Sequence, residues 1–370
     1  MNLGEGFLKV YFCVGGKYSD FAEQSIKKYS MKYKEASTVA NKIRWGILST
    51  ARIAQEQLIP AIKRASNAEL VAIASRGSNV HDVARALDIP IAYESYEELL
   101  ANPMIDAVYI PLPNHLHKEW VFKSAKAGKH ILCEKPISLT AKEASEMVEV
   151  CMEQNVKFME AFMYQLHPQH NRVKELISSG AIGEIKLITS SHSFYMDNRK
   201  SQFRMNKEMG GGSLFDVGCY CIHAIRYMAG AEPVKVHCLA DLDSETEVDI
   251  SAFGTLQLDN GIHATFNCSF DMAGRNEYEI VGSLGTIKVP FAFRPDQNDG
   301  LGRILIQQNN MTQEENIHGD LYRVEVEHFS DAILNNTNPE VTGEFSVENM
   351  RVIEACLESI KTGEVIEILR

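Results

Sequence analysis

Gly46-Ile47-Leu48-Ser49-Thr50-Ala51-Arg52-Ile53-Ala54 passes from an apolar, strand-like run into a helical one. A helix N-terminus directly after a strand is where backbone amides and the helix dipole hold the pyrophosphate of a dinucleotide. Ser49 and Ala51 stand where the pattern GxGxxA has its first two glycines, and Ala54 keeps the small residue that lets helix and strand pack closely. Small side chains preserve part of the close backbone approach, and the helix end adds about 0.3–1 kcal/mol per favourable charge contact. Ser49, Thr50, Ala51, Arg52 and Ile53 are therefore candidate cofactor ligands, with an ordinary βα turn as the competing reading. The next strand ends at Ala74 and is followed by Ser75 and Arg76. An acidic residue there would reject a 2′-phosphate, whereas a planar guanidinium and a hydroxyl would take one. NADP is thus the expected cofactor, NAD the second candidate, and a solvated strand-end arginine the bland alternative.

These residues need a parallel sheet to position them, and the chain supplies its pattern. Short β-rich runs at 43–48, 70–74, 107–110 and 131–133 alternate with helical periodicities at 53–65, 80–87, 116–127 and 141–154. Ser95 with Glu98 and Thr140 with Glu143 form S/T-x-x-E capping boxes, and Gly128 closes the helix before Ile131. After about Gly183 the text changes to longer alternating runs at 185–193, 248–258, 262–270 and 278–281, broken by Asp259-Asn260-Gly261 and Gly282-Ser283-Leu284-Gly285. These read as strands joined by hairpin turns, and 347–360 as a closing amphipathic helix capped near Ser346. The expected fold is α/β: a doubly wound parallel Rossmann sheet at 43–165, then an α+β domain at 166–370 with a large, mainly antiparallel open sheet. Residues 1–42 fit no clear period and are expected to be an appendage, with Met31 as an alternative start.

Further motifs follow in a definite order. Pro111, Pro113-Asn114-His115-Leu116-His117, Glu134-Lys135-Pro136, Glu160-Ala161-Phe162-Met163-Tyr164 leading to His167-Pro168, Gly180-Ala181-Ile182-Gly183-Glu184, and Gly210-Gly211-Gly212 before Asp216-Val217-Gly218-Cys219-Tyr220 are the pieces. In their order and spacing the sequence resembles the Gfo/Idh/MocA oxidoreductases from about Arg44 to the C-terminus. It is most similar to the NADP-dependent branch of dihydrodiol dehydrogenases, aldose (xylose) dehydrogenases and glucose-fructose oxidoreductase. Two departures stand out. Ser49 and Ala51 replace phosphate-loop glycines, and Gln165 stands where many relatives carry arginine beside the His-Pro pair.

The resemblance implies hydride transfer between a nicotinamide and a CH–OH carbon. Such a reaction needs a group for the hydroxyl proton, a partner for the developing oxyanion, and a site that orients the carbon. Lys135, Asp216 and Tyr220 are the implied catalytic set, with tyrosine where many relatives have histidine. A free tyrosine has a pKa of about 10, and an ammonium about 4 Å away contributes up to roughly 4 kcal/mol at an effective dielectric of 20, so Lys135 is expected to activate Tyr220 against the opposing effect of burial. Asp216 is expected to orient Lys135 or a substrate hydroxyl, with helix capping as the alternative; for Tyr220 the alternative is a core tyrosine. Asn114 and His117 are expected to border the nicotinamide, with Pro111, Glu134 and Lys135 also at the cofactor, and His167, Arg204 and His223 at the substrate; the alternatives are structural histidines and, for Arg204, a surface salt bridge.

Composition narrows the classes further. The 370 residues suffice for two cores, and a net charge of −12 disfavours a phosphate backbone, so no nucleic-acid partner is expected. Eight scattered cysteines without CxxC or ligand spacing fit a reducing cytoplasm, no metal is expected, and no apolar run reaches the length of a membrane span. The reading is an NAD(P)-dependent dehydrogenase or reductase of a sugar, cyclic polyol or related hydroxy compound, associating through its open sheet as a homodimer or homotetramer. Its rivals are a non-catalytic, dinucleotide-sensing regulator of the same fold, and an enzyme of the glucose-fructose oxidoreductase type that never releases its cofactor.

Overall fold

A computed structural model describes residues 42–77, 79–199 and 202–369; the expected appendage at 1–42 lies, but for Lys42, outside them. Six strands form the first sheet: β1 (Ile43–Leu48), β2 (Ala68–Ala74), β3 (Ile91–Tyr93), β4 (Ala107–Ile110), β5 (His130–Cys133) and β6 (Phe158–Glu160). All pair in parallel, in the order β3-β2-β1-β4-β5-β6, which is the doubly wound dinucleotide-binding order with its reversal between β1 and β4. Helices cover both faces, so the central strands are apolar throughout; all four residues of β4 are buried. Both capping boxes form, with Glu98 N donating to Ser95 Oγ at 3.3 Å and Glu143 N to Thr140 Oγ1 at 3.1 Å. Gly128 takes φ +71° after helix α4 (His117–Lys126), the numbering following α1 (Ile59–Arg64), α2 (Val80–Ala86) and α3 (Tyr96–Ala101). A turn of π-helix, Ala54–Leu58, precedes α1 directly after the phosphate loop.

Helices α5 (Ala141–Glu153) and α6 (Pro168–Ser178) lead into the second sheet. Its nine strands are β7 (Ile185–Tyr195), β8 (Pro233–Leu242), β9 (Asp249–Leu258), β10 (His263–Ser269), β11 (Asp271–Gly282), β12 (Gly285–Pro290), β13 (Leu301–Gln308), β14 (Met311–His318) and β15 (Ile366–Glu367). Their order is β14-β13-β12-β11-β7-β10-β9-β8-β15, antiparallel except for the β7–β10 pair. Alternation from Ala252 onward in β9 places Ala252, Gly254, Leu256 and Leu258 on the covered face and leaves Phe253 40% exposed on the other. The covered face packs against α7 (Cys219–Ala229) and α9 (Gly343–Thr362), while α8 (Leu321–Leu334) returns to the first domain, where Phe329 packs on Trp45 at 5.8 Å between ring centroids. The last long helix is capped by Thr342, whose Oγ1 accepts from Phe345 N, rather than at the expected Ser346, which is buried inside it. The amphipathic period starts a turn later than the backbone helix, because its first turn contributes little to the apolar stripe.

Candidate active site

The phosphate loop fits a dinucleotide despite its missing glycines. Ser49 adopts φ +149°, a conformation glycine favours, and its Oγ accepts from Ala51 N at 2.9 Å, which stabilises the turn from within. A cavity of about 800 Å³ opens at the carboxyl ends of β1 and β4 and is lined by Ser49, Ala51, Arg52, Ile53, Pro111, Asn114, Glu134 and Lys135. Thr50 contributes its carbonyl to Gln55 Nε2 at 2.6 Å and is not part of that lining. Ser75 and Arg76 lie beyond it as well, at the end of β2. The Arg76 guanidinium packs on the edge-to-face pair of Tyr96 (5.3 Å) and Trp120 (5.1 Å), with no carboxylate partner among the described residues.

Lys135 follows β5, and the run from Gly210 brings Asp216 and Tyr220 to it. Gly210 and Gly212 take φ +77° and +116°, and a Cβ on Gly212 would meet Asp249 Oδ1 at 2.1 Å. Asp249 accepts from Ser213 Oγ (2.7 Å) and Leu214 N (2.6 Å), so it, and not Asp216, caps the helical turn that begins there. Asp216 is thereby free for the cavity. Its Oδ2 accepts from Arg204 Nε at 2.7 Å, while Lys135 Nζ donates to the Asp216 carbonyl at 2.7 Å and lies 3.4 Å from Oδ1. Burial opposes ionisation of Asp216, but the two cations outweigh it and hold its pKa down to about 2. Burial likewise disfavours the Lys135 charge, and Asp216 more than compensates, leaving its pKa above the ordinary lysine value.

Tyr220 corrects the expected activation. The Lys135 ammonium sits over the ring face, 4.9 Å from its centroid, and its charge is matched by Asp216. Burial, then Glu134 and Cys219, push the phenol well above its usual pKa, with Arg294 opposing. Tyr220 is therefore a neutral phenol at physiological pH. Glu134 accepts from the Tyr109 hydroxyl, and burial raises its pKa.

Three histidines expected at the site are structural. His117 is fully buried, with Nε2 2.7 Å from the Leu112 carbonyl and Nδ1 facing those of Pro136 (3.0 Å) and Ile137 (3.2 Å). Burial holds its pKa down to about 4, and the neutral ring donates to the carbonyls on one side only. His167 caps α6 by accepting from Gln169 N, and Gly302 and Gly319 approach so closely that a Cβ on either would lie within 2.8 Å of its ring. His223 bonds the Tyr164 hydroxyl through Nδ1 at 2.6 Å and packs 4.0 Å from the Phe162 ring, behind Tyr220. Their burial comes from contacts with distant segments, which no local pattern foretells. Asn114 does line the cavity, its Nδ2 donating to the Gly210 carbonyl at 3.0 Å; Arg204 lines it too, through its pair with Asp216.

A second cavity, of about 620 Å³, lies against the sheet and shares Lys135, Arg204, Asp216, Tyr220 and Arg294 with the first. Arg294, His192 and Tyr322 were not expected here. Tyr322 is 4% exposed, lines the first cavity, and its hydroxyl has no partner. Each lies far in sequence from the motifs and carries no spacing signal. Among the described residues no group of three or more His, Cys, Asp or Glu is placed to hold a metal ion, and no helix is long and apolar enough to cross a membrane.

A doubly wound sheet with a phosphate loop, joined to an open antiparallel sheet with a Lys-Asp-Tyr constellation in the cleft, defines a nicotinamide-dependent oxidoreductase class. Residues 43–162 match the oxidoreductase family with an NAD-binding Rossmann fold, GFO/IDH/MocA, and residues 170–288 match the GFO/IDH/MocA C-terminal domain. The chain belongs to this family. It is 38% identical over 325 residues to a D-xylose 1-dehydrogenase (NADP(+)) of Haloferax volcanii, covering 88% of this chain and 99% of that one. It is 32% identical to a trans-1,2-dihydrobenzene-1,2-diol dehydrogenase of Xenopus tropicalis over 67% of this chain and 75% of that one. The aldose-aldose oxidoreductase of Caulobacter crescentus, solved with glycerol, superposes with a TM-score of 0.82 at 25% identity, covering 88% and 99% of the two chains.

Proposed function

We propose that the protein transfers a hydride between NADP(H) and a CH–OH carbon of an aldose, cyclic polyol or related hydroxy compound. The observation that carries this reading is the meeting of Lys135, Asp216 and Tyr220 in one cleft with the phosphate loop. Arg76, without a carboxylate partner among the described residues at the end of β2, is the residue to hold a 2′-phosphate, and the rings of Tyr96 and Trp120 support its guanidinium. When bound, the nicotinamide supplies or accepts the hydride. In reduction, neutral Tyr220 gives its proton to the carbonyl oxygen as the hydride arrives, the Lys135 ammonium stabilises the negative charge developing on that oxygen, and the tyrosinate left behind is reprotonated by solvent from the open cleft; oxidation starts from that tyrosinate, so its rate is expected to rise with pH. Asp216 fixes the ammonium, and Arg204 keeps Asp216 ionised. The intact constellation weighs against the non-catalytic regulator. Domain boundaries near 165, a cytoplasmic setting, and a homodimer or homotetramer formed through the exposed sheet face around Leu239 and Phe253 belong to the same proposal.

The test is reduction of NADP and NAD by purified protein across aldoses, inositols, other polyols and trans-dihydrodiols, with Lys135→Ala as control. Turnover with NADP that the variant abolishes is expected. Binding of NADPH without turnover of any substrate in either direction would transfer the weight to the regulator.

A further inference from the structure

Arg294 forms part of the cavity wall that no motif names. It lies after β12 and lines both cavities, at the junction where Lys135, Asp216 and Tyr220 also stand. Its position is tightly specified. Phe291 takes φ +58°, Ala292 N donates to the Asn276 carbonyl at 2.8 Å, and Asn276 Oδ1 accepts from both Phe293 N (2.9 Å) and Arg294 N (3.3 Å). Phe293 is fully buried, 5.0 Å from the His192 ring and 5.5 Å from Tyr220, which ties the segment to the catalytic tyrosine. Asp296 then engages Arg294 Nε at 2.9 Å and Nη2 at 2.8 Å. Nη1 is left without a hydrogen bond among the described residues, on a side chain 28% exposed.

A guanidinium held along one edge presents its other edge, two roughly parallel N–H groups, in a fixed direction. Because Asp296 matches its charge, that edge suits neutral oxygen acceptors better than a phosphate or carboxylate. Lys135 and Arg204 share the one carboxylate of Asp216, so the excess positive charge of the cleft lies beside the oxygen of the reacting carbon and not at Arg294, which Asp296 neutralises. We propose that Arg294 is a specificity-determining residue whose free guanidinium edge donates to a pair of hydroxyls on an uncharged sugar or polyol, while Tyr220 and Lys135 hold the oxygen of the reacting carbon. This rests on the sugar or polyol reading of the site.

The experiment is calorimetric binding of neutral aldoses, their monodeoxy analogues and the corresponding aldose phosphates to NADPH-loaded wild-type protein, Arg294→Met, Arg294→Lys and Asp296→Asn. The absorbance of the reduced nicotinamide is followed in the same mixtures, so that any reduction of the aldose by bound NADPH is separated from binding. Arg294→Met is expected to weaken aldose binding roughly tenfold and to erase wild-type discrimination against at least one monodeoxy aldose, with NADPH affinity unchanged. Arg294→Lys should restore little of it, since a point ammonium does not reproduce the paired donors, and Asp296→Asn should shift preference toward the phosphates. Unchanged aldose affinity in Arg294→Met, retained discrimination, no aldose binding by wild type, or tighter binding of phosphates by wild type would each overturn the assignment. Failure of the redox reading is separable: Arg294-dependent binding without any NADP reduction would sink that reading and leave this one standing.

Discussion

At the scale of residues, Ser49 is a strained position in the phosphate loop. Ser49 occupies a glycine-like conformation that costs a β-carbon of order 1–3 kcal/mol, offset in part by its bond to Ala51 N. Ser49→Gly is therefore expected to keep NADPH affinity at or above wild type, measured by fluorescence titration, whereas a β-branched Ser49→Val should lose roughly tenfold or more; equal affinities in the two variants would show that the loop geometry is unimportant. Tyr220→Phe is expected to lower kcat by about 10²–10⁴-fold with little change in NADPH affinity, since only the proton donor is removed. Near-full turnover in that variant would assign the proton to another group. Motif residues such as Lys135 and Tyr220 were legible because their neighbours in sequence carry the pattern. His167 and His223 have types that suit a cleft, but the structure surrounds them with segments more than fifty residues away and outside the cavity.

Elements account for how the motifs converge. The Gly210–Gly212 run exists because the chain must turn with positive φ and pass against Asp249 before the helical turn that carries Asp216. Gly212→Ala would place a methyl on the Asp249 carboxylate, so it is expected to lower the melting temperature by several degrees and to displace Asp216, reducing turnover more than NADPH binding. A variant with wild-type melting temperature and kcat would contradict this account. The parallel strands were readable from alternation of strand and helix, and the hairpins at 259–261 and 282–285 from their turn residues. Short β3 and β6 escaped notice, because three residues are too few for a period, as did the start of the last long helix at Thr342.

For the whole molecule, buried titratable groups set the response to pH. His170 and His192 are pushed by burial to about 3, and His117 to about 4. Each has a folded pKa below its unfolded value near 6.5, so the stability it contributes is complete above that value and is lost as pH falls toward the folded pKa. Glu160 and Asp249, raised by burial to about 7 and about 6, act with the opposite sign, their contribution present at low pH and lost as pH rises through those values. The histidines are more numerous and further displaced. Calorimetry is accordingly expected to show the melting temperature falling between pH 6.5 and 4.5, and a flat or rising trend would mean the carboxyl groups dominate. NADPH, binding only the folded chain, should raise the melting temperature at either pH.

Sequence alone determined the class of fold and the central chemistry, because strand and helix periods, turn residues and short motifs are local and act through the backbone next to them. It marked the phosphate loop, Arg76 at the end of β2, and the trio Lys135, Asp216 and Tyr220 as the candidates on which the proposed function rests. Tertiary structure alone decided which charges are spent. Lys135 leans on Asp216 instead of activating the phenol, Asp249 takes the capping role left open for Asp216, three histidines become packing, and Arg294 enters from a strand end 159 residues after Lys135. The physical reason is that desolvation and charge pairing depend on distance in space, and close-packed burial brings together groups whose separation along the chain carries no signal.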